Sequence, residues 1–169
     1  MPRPDLSKTP EYYHRYINKA KGDNIVVSMK KQTPALLRFF NSIPPAKRNY
    51  RYAPGKWTIQ EILQHMIDAE RVFAYRGLCF ARKDKTPLPS FDENLYGETS
   101  KASKRKWKEM IEEFKAVRRS SELLFGSFDK VQLNTCGTAS NNSFSVLAIG
   151  YILVGHMNHH AGVIRERYL

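Results

Sequence analysis

Cysteine is scarce in this chain: only Cys79 and Cys136 occur, and they make no C-x-x-C pair. A disulfide framework is therefore excluded, and both read as reduced thiols. Cys79 falls between Leu78 and Phe80 as packing, and Cys136 sits in a loop where nothing local would activate a nucleophile. Long apolar runs are missing too. The longest, Phe144 to Gly155, is too short to cross a bilayer, and the opening Met1-Pro-Arg-Pro-Asp-Leu lacks the apolar core of a secretory signal. A cytoplasmic protein without a membrane partner is expected. No internal repeat, low-complexity block or convincing hairpin signal stands out. H-E-x-x-H, a Gly-rich phosphate loop and a Ser-His-Asp motif are absent as well.

Acidic residues are also in short supply, 16 against 28 Lys and Arg, for a net charge of +12. The densest basic block is Lys101, Lys104, Arg105, Lys106 and Lys108. It would suit a basic helical module that binds nucleic acid or another anionic partner. Glu109, Glu112 and Glu113 follow at once, so a solvated helix face with i, i+3 and i, i+4 pairs is the preferred reading and nucleic acid is not the expected partner.

What is present is helical periodicity. With 169 residues, one domain is expected: an N-terminal extension over 1–23 with a short helix from Pro10 to Ala20, then a helical bundle over 24–169. The first long helix spans Asn24–Ser42, where Pro34 should kink or divide it. Thr58-Ile-Gln-Glu61 reads as a capping box opening a helix to about Ala81, with Ile59, Ile62, Leu63, Met66, Ala69 and Phe73 as its stripe. Glu70 falls within that stripe and, if buried, needs a partner. Asp84 to Ser100 reads as a long connection without helical period. A third helix runs from about Ser103 to Phe128, Asn134–Ser143 is a loop, and Ser145 caps the last helix. There Gly150, Gly155 and Gly162 allow a neighbour to come close. The predicted fold class is all-α, a four-helix bundle, an architecture whose metal sites are built from facing side chains.

Three histidines carry the chemistry. His156 and His160 stand one turn apart on one face of the last helix, and His65 lies at the margin of the apolar stripe on another. Three imidazoles facing one point would hold Zn²⁺ or Ni²⁺ and leave a coordination position for water or substrate. A cation so held lowers the pKa of water towards neutrality or polarises a thiol. His159, three residues from His156, is an alternative partner that helical projection does not exclude. Glu61 and Asp68, one turn either side of His65, could orient its second nitrogen, although both project towards solvent.

The run Pro54-Gly-Lys-Trp-Thr-Ile-Gln-Glu-Ile-Leu-Gln-His65-Met-Ile-Asp-Ala-Glu-Arg71, taken with Gly155-His-Met-Asn-His-His160-Ala-Gly-Val-Ile-Arg-Glu-Arg-Tyr168, strongly resembles the DinB/YfiT-like family of DNA-damage-inducible-type metalloenzymes. The resemblance spans most of the chain from about Asn24. It implies a bundle of up-down-down-up topology, a homodimer, and a divalent metal on His65, His156 and His160, with His159 outside the ligand set. It further implies a hydrolase, or a thiol S-transferase using a low-molecular-weight thiol such as bacillithiol, mycothiol or glutathione, acting on a small-molecule substrate. Tyr75, Arg76, Asp92, Glu93, Asn94 and Tyr96, at one helix end and in the loop that follows, are the candidate pocket residues.

Overall fold

The computed structural model describes residues 3–169; Met1 and Pro2, part of the predicted N-terminal extension, lie outside them. Helix α3 (Ile59–Ala81) begins with both halves of its capping box formed. Thr58 Oγ1 accepts from the Glu61 amide at 3.1 Å, and the Glu61 carboxylate accepts from the Thr58 amide at 2.7 Å. Asn24 caps α2 (Ile25–Asn41) by accepting from the Val27 amide, and Ser145 caps α7 (Val146–Arg167) by accepting from that of Ala148. The fourth long helix is α5 (Trp107–Gly126).

α2 and α3 each pack against α5 and α7. α2 therefore sits diagonal to α3, and α5 diagonal to α7, while α3 and α5 are neighbours. Contacts along the pairs set their directions. Ile25 beside Gly150 and Arg165 over the Phe39 ring make α2 and α7 parallel. Gln60 at the start of α3 donates to the Ala102 and Arg105 carbonyls just before α5, and Phe125 meets Gly77 towards the other ends, so α3 and α5 are parallel. Phe40 against Trp107 and Phe114 makes α2 antiparallel to α5, and Gly77 beside Ile149 makes α3 antiparallel to α7. The order is up-down-down-up. A parallel α3–α5 pair requires residues 82–106 to return the length of α3, about 35 Å at 1.5 Å per residue.

The core divides into two apolar clusters. One holds Met29, Ala69, Phe73, Phe125 and Leu153; the other holds Leu36, Leu63, Met66, Phe114, Met157 and Ile164. Between them a polar layer crosses all four helices at mid-height. Arg118, fully buried, donates from Nη1 to both Glu70 carboxylate oxygens at 3.0 Å, from Nε to Thr33 Oγ1 at 3.2 Å and from Nη2 to Gln32 Oε1 at 3.0 Å. Thr33 donates to Glu122 at 2.7 Å, and Gln32 Nε2 donates to the Val154 carbonyl and to Asn158 Oδ1 at 2.8 and 2.7 Å. Glu70 thus has the partner its burial demands.

The short helix α1 (Glu11–Ile17) lies on α7. Gly155 makes this possible: a Cβ there would overlap the Tyr16 carbonyl, so the two backbones touch where any side chain would separate them. Gly150 likewise admits Ile25 and Phe125, whereas at Gly162 a Cβ would meet only the Glu166 carboxylate, at 4.0 Å, among the described residues. Gly155→Val is expected to lift α1 from α7 and cost about 3 kcal/mol, the upper end of what overpacking a closed core costs. Urea denaturation checks the cost, and exposure of the α1 tyrosines checks the displacement.

Four sequence expectations are corrected. Residues 136–145 form a hairpin, β1 (Cys136–Ala139) paired antiparallel with β2 (Asn142–Ser145). Its two-residue loop, Ser140–Asn141, has φ of 51° and 59°, the primed geometry usually signalled by Asn-Gly or Asp-Gly. The connection 84–100 contains a helix, α4 (Glu93–Thr99), capped by Asp92, and Leu88 bridges to Ala139 of the hairpin. Of the two alternatives at Pro34, division is ruled out: α2 is one helix through it, and the proline faces solvent, where the freed Lys30 carbonyl can be hydrated. α5 starts at Trp107 rather than Ser103, because Lys101 turns left-handed (φ 53°) and Arg105 is extended. A five-residue helix, α6 (Lys130–Asn134), links α5 to the hairpin. Among the described residues, no helix is long and apolar enough to cross a membrane.

Candidate metal centre

The histidines lie beside the polar layer, His156 falling between Val154 and Asn158, to which Gln32 donates. His65 reaches from α3 while His156 and His160 reach from α7, and their Nε2 atoms converge. His156 Nε2 lies 3.0 Å from that of His65 and 3.0 Å from that of His160, and one ligand atom from each ring lies within 4.8 Å of the others. The rings are edge-on, with centroids 4.4–5.0 Å apart. Hydrogen bonding alone cannot satisfy this cluster. One ring nitrogen offers a single in-plane N–H or a single lone pair, yet His156 Nε2 faces two others. A cation among the three lone pairs meets all of them, so the donor set fits one divalent metal ion. His156 Nδ1, which then carries the proton, is buried and has no hydrogen-bond partner among the described residues.

Burial keeps all three rings neutral, as ligands must be. It pushes His65 down from 6.5 to about 4, helped by the charge of His159. His156 falls well below its ordinary value through burial and then through His160, His65, His159 and Arg15. His160 falls likewise, through burial, His65, His159 and Arg15. Folded values depressed below unfolded ones mean that the unfolded chain binds protons first. Stability is then complete above about pH 6.5 and is lost as pH falls, for His65 over the window from about 6.5 to about 4. The metal-free protein is expected to lose on the order of 3 kcal/mol across that window from His65 alone. Urea midpoints compared at neutral pH and near pH 4.5 check this, and a flat profile contradicts it.

A cavity of ≈160 Å³ opens over the triad. Tyr12, Tyr13 and Tyr16 of α1 form one wall, while Trp57, Phe73 and Phe91 complete an aromatic lining that includes a single carboxylate, Glu93. Trp57, from the Pro54–Thr58 entry, packs on His65 with centroids 4.7 Å apart. Its carbonyl accepts from the Tyr168 hydroxyl at 2.6 Å, which anchors it to the end of α7. Burial, with Tyr12 adding to it, raises Tyr16 to about 12, so its phenol stays protonated.

Of the six residues expected at the pocket, only Glu93 lines this cavity. Asn94 lines a neighbouring one with His159, while Tyr75, Arg76 and Tyr96 line a third. Asp92 is spent capping α4, where it accepts from the Asn94 and Leu95 amides. Glu61 and Asp68 do not orient His65. Glu61 is held by Thr58 and Arg51, and Asp68 accepts from Gln64 at 2.9 Å. His159 stands aside against Tyr16. The tyrosines of α1 were the missed lining. Their signal was a dense aromatic run in a helix too short to be stable alone.

The DinB superfamily model matches residues 29–164. The chain belongs to the DinB superfamily. No curated protein matches its sequence. Among solved structures, this DinB-superfamily chain resembles YfiT from Bacillus subtilis, described as a probable metal-dependent hydrolase with an unusual four-helix bundle topology. The TM-score is 0.71 at 15% identity, over 97% of this chain and 90% of YfiT, which shows a shared fold.

Proposed function

We propose that this protein is a divalent-metal-dependent hydrolase in which His65, His156 and His160 hold the metal. The convergence of their three Nε2 atoms beneath a cavity carries the reading. The description of YfiT as a probable metal-dependent hydrolase supports it. Three neutral imidazoles suit Zn²⁺ or Ni²⁺. When bound there, the cation supplies Lewis acidity, polarising a carbonyl and bringing the ionisation of water towards neutral pH.

The chain's own residues do the remainder. The aromatic wall receives an apolar group. At ≈160 Å³ the cavity matches the ~150 Å³ void that holds benzene, so it encloses only the reacting end of a substrate. Glu93, the carboxylate in the lining, is the proton acceptor in this reading, and the Tyr16 phenol is a donor rather than a base.

The test compares metal-stripped and Zn²⁺- or Ni²⁺-reconstituted protein against small esters and amides, with and without a low-molecular-weight thiol. Thiol-independent turnover that returns with metal and disappears in His65→Ala is expected. Turnover only with the thiol would replace hydrolysis by S-transfer. Full metal occupancy without turnover in either arm would reduce the site to a structural one.

A further inference from the structure

A second cavity, larger than the one over the triad, lies elsewhere on the bundle. It is an open groove of ≈850 Å³ where the α1–α2 turn meets α2 and α7. Lys19, Lys21, Lys31 and Arg165 line it, against one acid, Asp23. Its floor includes the amide side chains of Gln32 and Asn158, which belong to the polar layer of the bundle.

The wall that carries two of these cations is held rigid by hydrogen bonds to its carbonyls. Arg3 donates to the Ile17, Ala20 and Gly22 carbonyls at 2.5, 2.8 and 3.3 Å. Ser28 donates to the Lys21 carbonyl at 2.7 Å, Asn158 to that of Lys19 at 2.8 Å, and Tyr151 to that of Gly22 at 3.2 Å. Side chains from α2, α7 and the N-terminal segment thus fix the backbone under Lys19 and Lys21, which lowers the ordering cost of binding.

We propose that this groove binds a small soluble polyanion carrying two or more phosphate or carboxylate groups. Four cations around one concavity focus a positive field on it. Its volume lies in the range of about 300–1,000 Å³ typical of small-ligand sites. The charge is gathered rather than drawn out into the track a nucleic acid follows. No residue of the basic block 101–108 lines the groove, and Arg105 of that block is paired inward with Glu113 at 2.5 Å. The site shares no lining residue with the cavity over the triad and does not depend on a metal there.

Calorimetric titration of the full chain with inorganic pyrophosphate and, separately, with citrate at low ionic strength tests this, with amide NMR shifts locating the ligand. Binding of either anion is expected, with shifts at Gly22, Ser28 and Asn158; the arm that binds tells phosphate from carboxylate. Lys21→Glu with Lys31→Glu, both at exposed positions, should weaken it by at least about tenfold. The charge-matched pair Lys104→Glu with Lys108→Glu should leave it unchanged. Circular dichroism confirms that both variants fold. The proposal is overturned by an absence of binding, by equal loss in the control pair, by shifts confined to the histidine cavity, or by a duplex oligonucleotide that binds more tightly and is not displaced by pyrophosphate.

Discussion

His156→Ala is expected to abolish divalent-metal binding, whereas His159→Ala leaves it intact. Both short Nε2 contacts run through His156, so its loss leaves His65 and His160 without the nitrogen that joins them. Losing an outer hydrogen-bond partner costs roughly 10–100-fold in metal affinity, and losing a ligand of three should cost far more. His159 packs against Tyr16 and His160 and lines only the adjoining cavity, outside the convergence of the three Nε2 atoms, which makes it an internal control of the same residue type, on the same helix. Competition with a chromogenic chelator measures both. Equal loss in the two variants, or none in His156→Ala, would contradict the assignment.

The second large effect lies behind the site. Arg118→Met is expected to destabilise the fold by about 3–5 kcal/mol, because it strands the Glu70 carboxylate in the bundle interior. The double variant Glu70→Gln with Arg118→Met should recover a good part of that loss, since the uncompensated charge is gone. The same guanidinium orients Gln32, which donates to Val154 and Asn158 on either side of His156. Metal affinity should therefore fall along with stability. Urea midpoints with and without metal separate the two effects; a loss below about 1 kcal/mol in the single variant would show that the pair is not buried as described.

Much of this architecture is written in local patterns. Thr58 and Glu61, Asn24 and Ser145 mark helix starts by the chemistry of orphan amides, a matter of a few neighbouring residues. Glu70 in an apolar stripe announces a buried partner, but the pattern does not say that the partner is Arg118, 48 positions away. The convergence of His65 with His156 and His160 follows the same rule. Each helix shows its face, while the up-down-down-up order that brings the faces together came from family resemblance.

What stayed hidden depends on backbone geometry or on docking. Ser140-Asn141 closes a hairpin without the glycine that normally marks one. α1 reads as an appendage until Gly155 is seen to admit its backbone, and with it the tyrosine wall of the cavity. Glu93 was found among the candidates, whereas its neighbour Asp92 caps α4 and Asn94 lines an adjoining cavity that shares Trp57 and His160 with the first.

The most direct test is elemental analysis combined with anomalous diffraction on untagged protein loaded with Zn²⁺ or Ni²⁺. One equivalent per chain is expected, with a single anomalous peak about 2.0–2.1 Å from the Nε2 atoms of His65, His156 and His160. Metal well below one equivalent, or a peak seated elsewhere, would contradict the account.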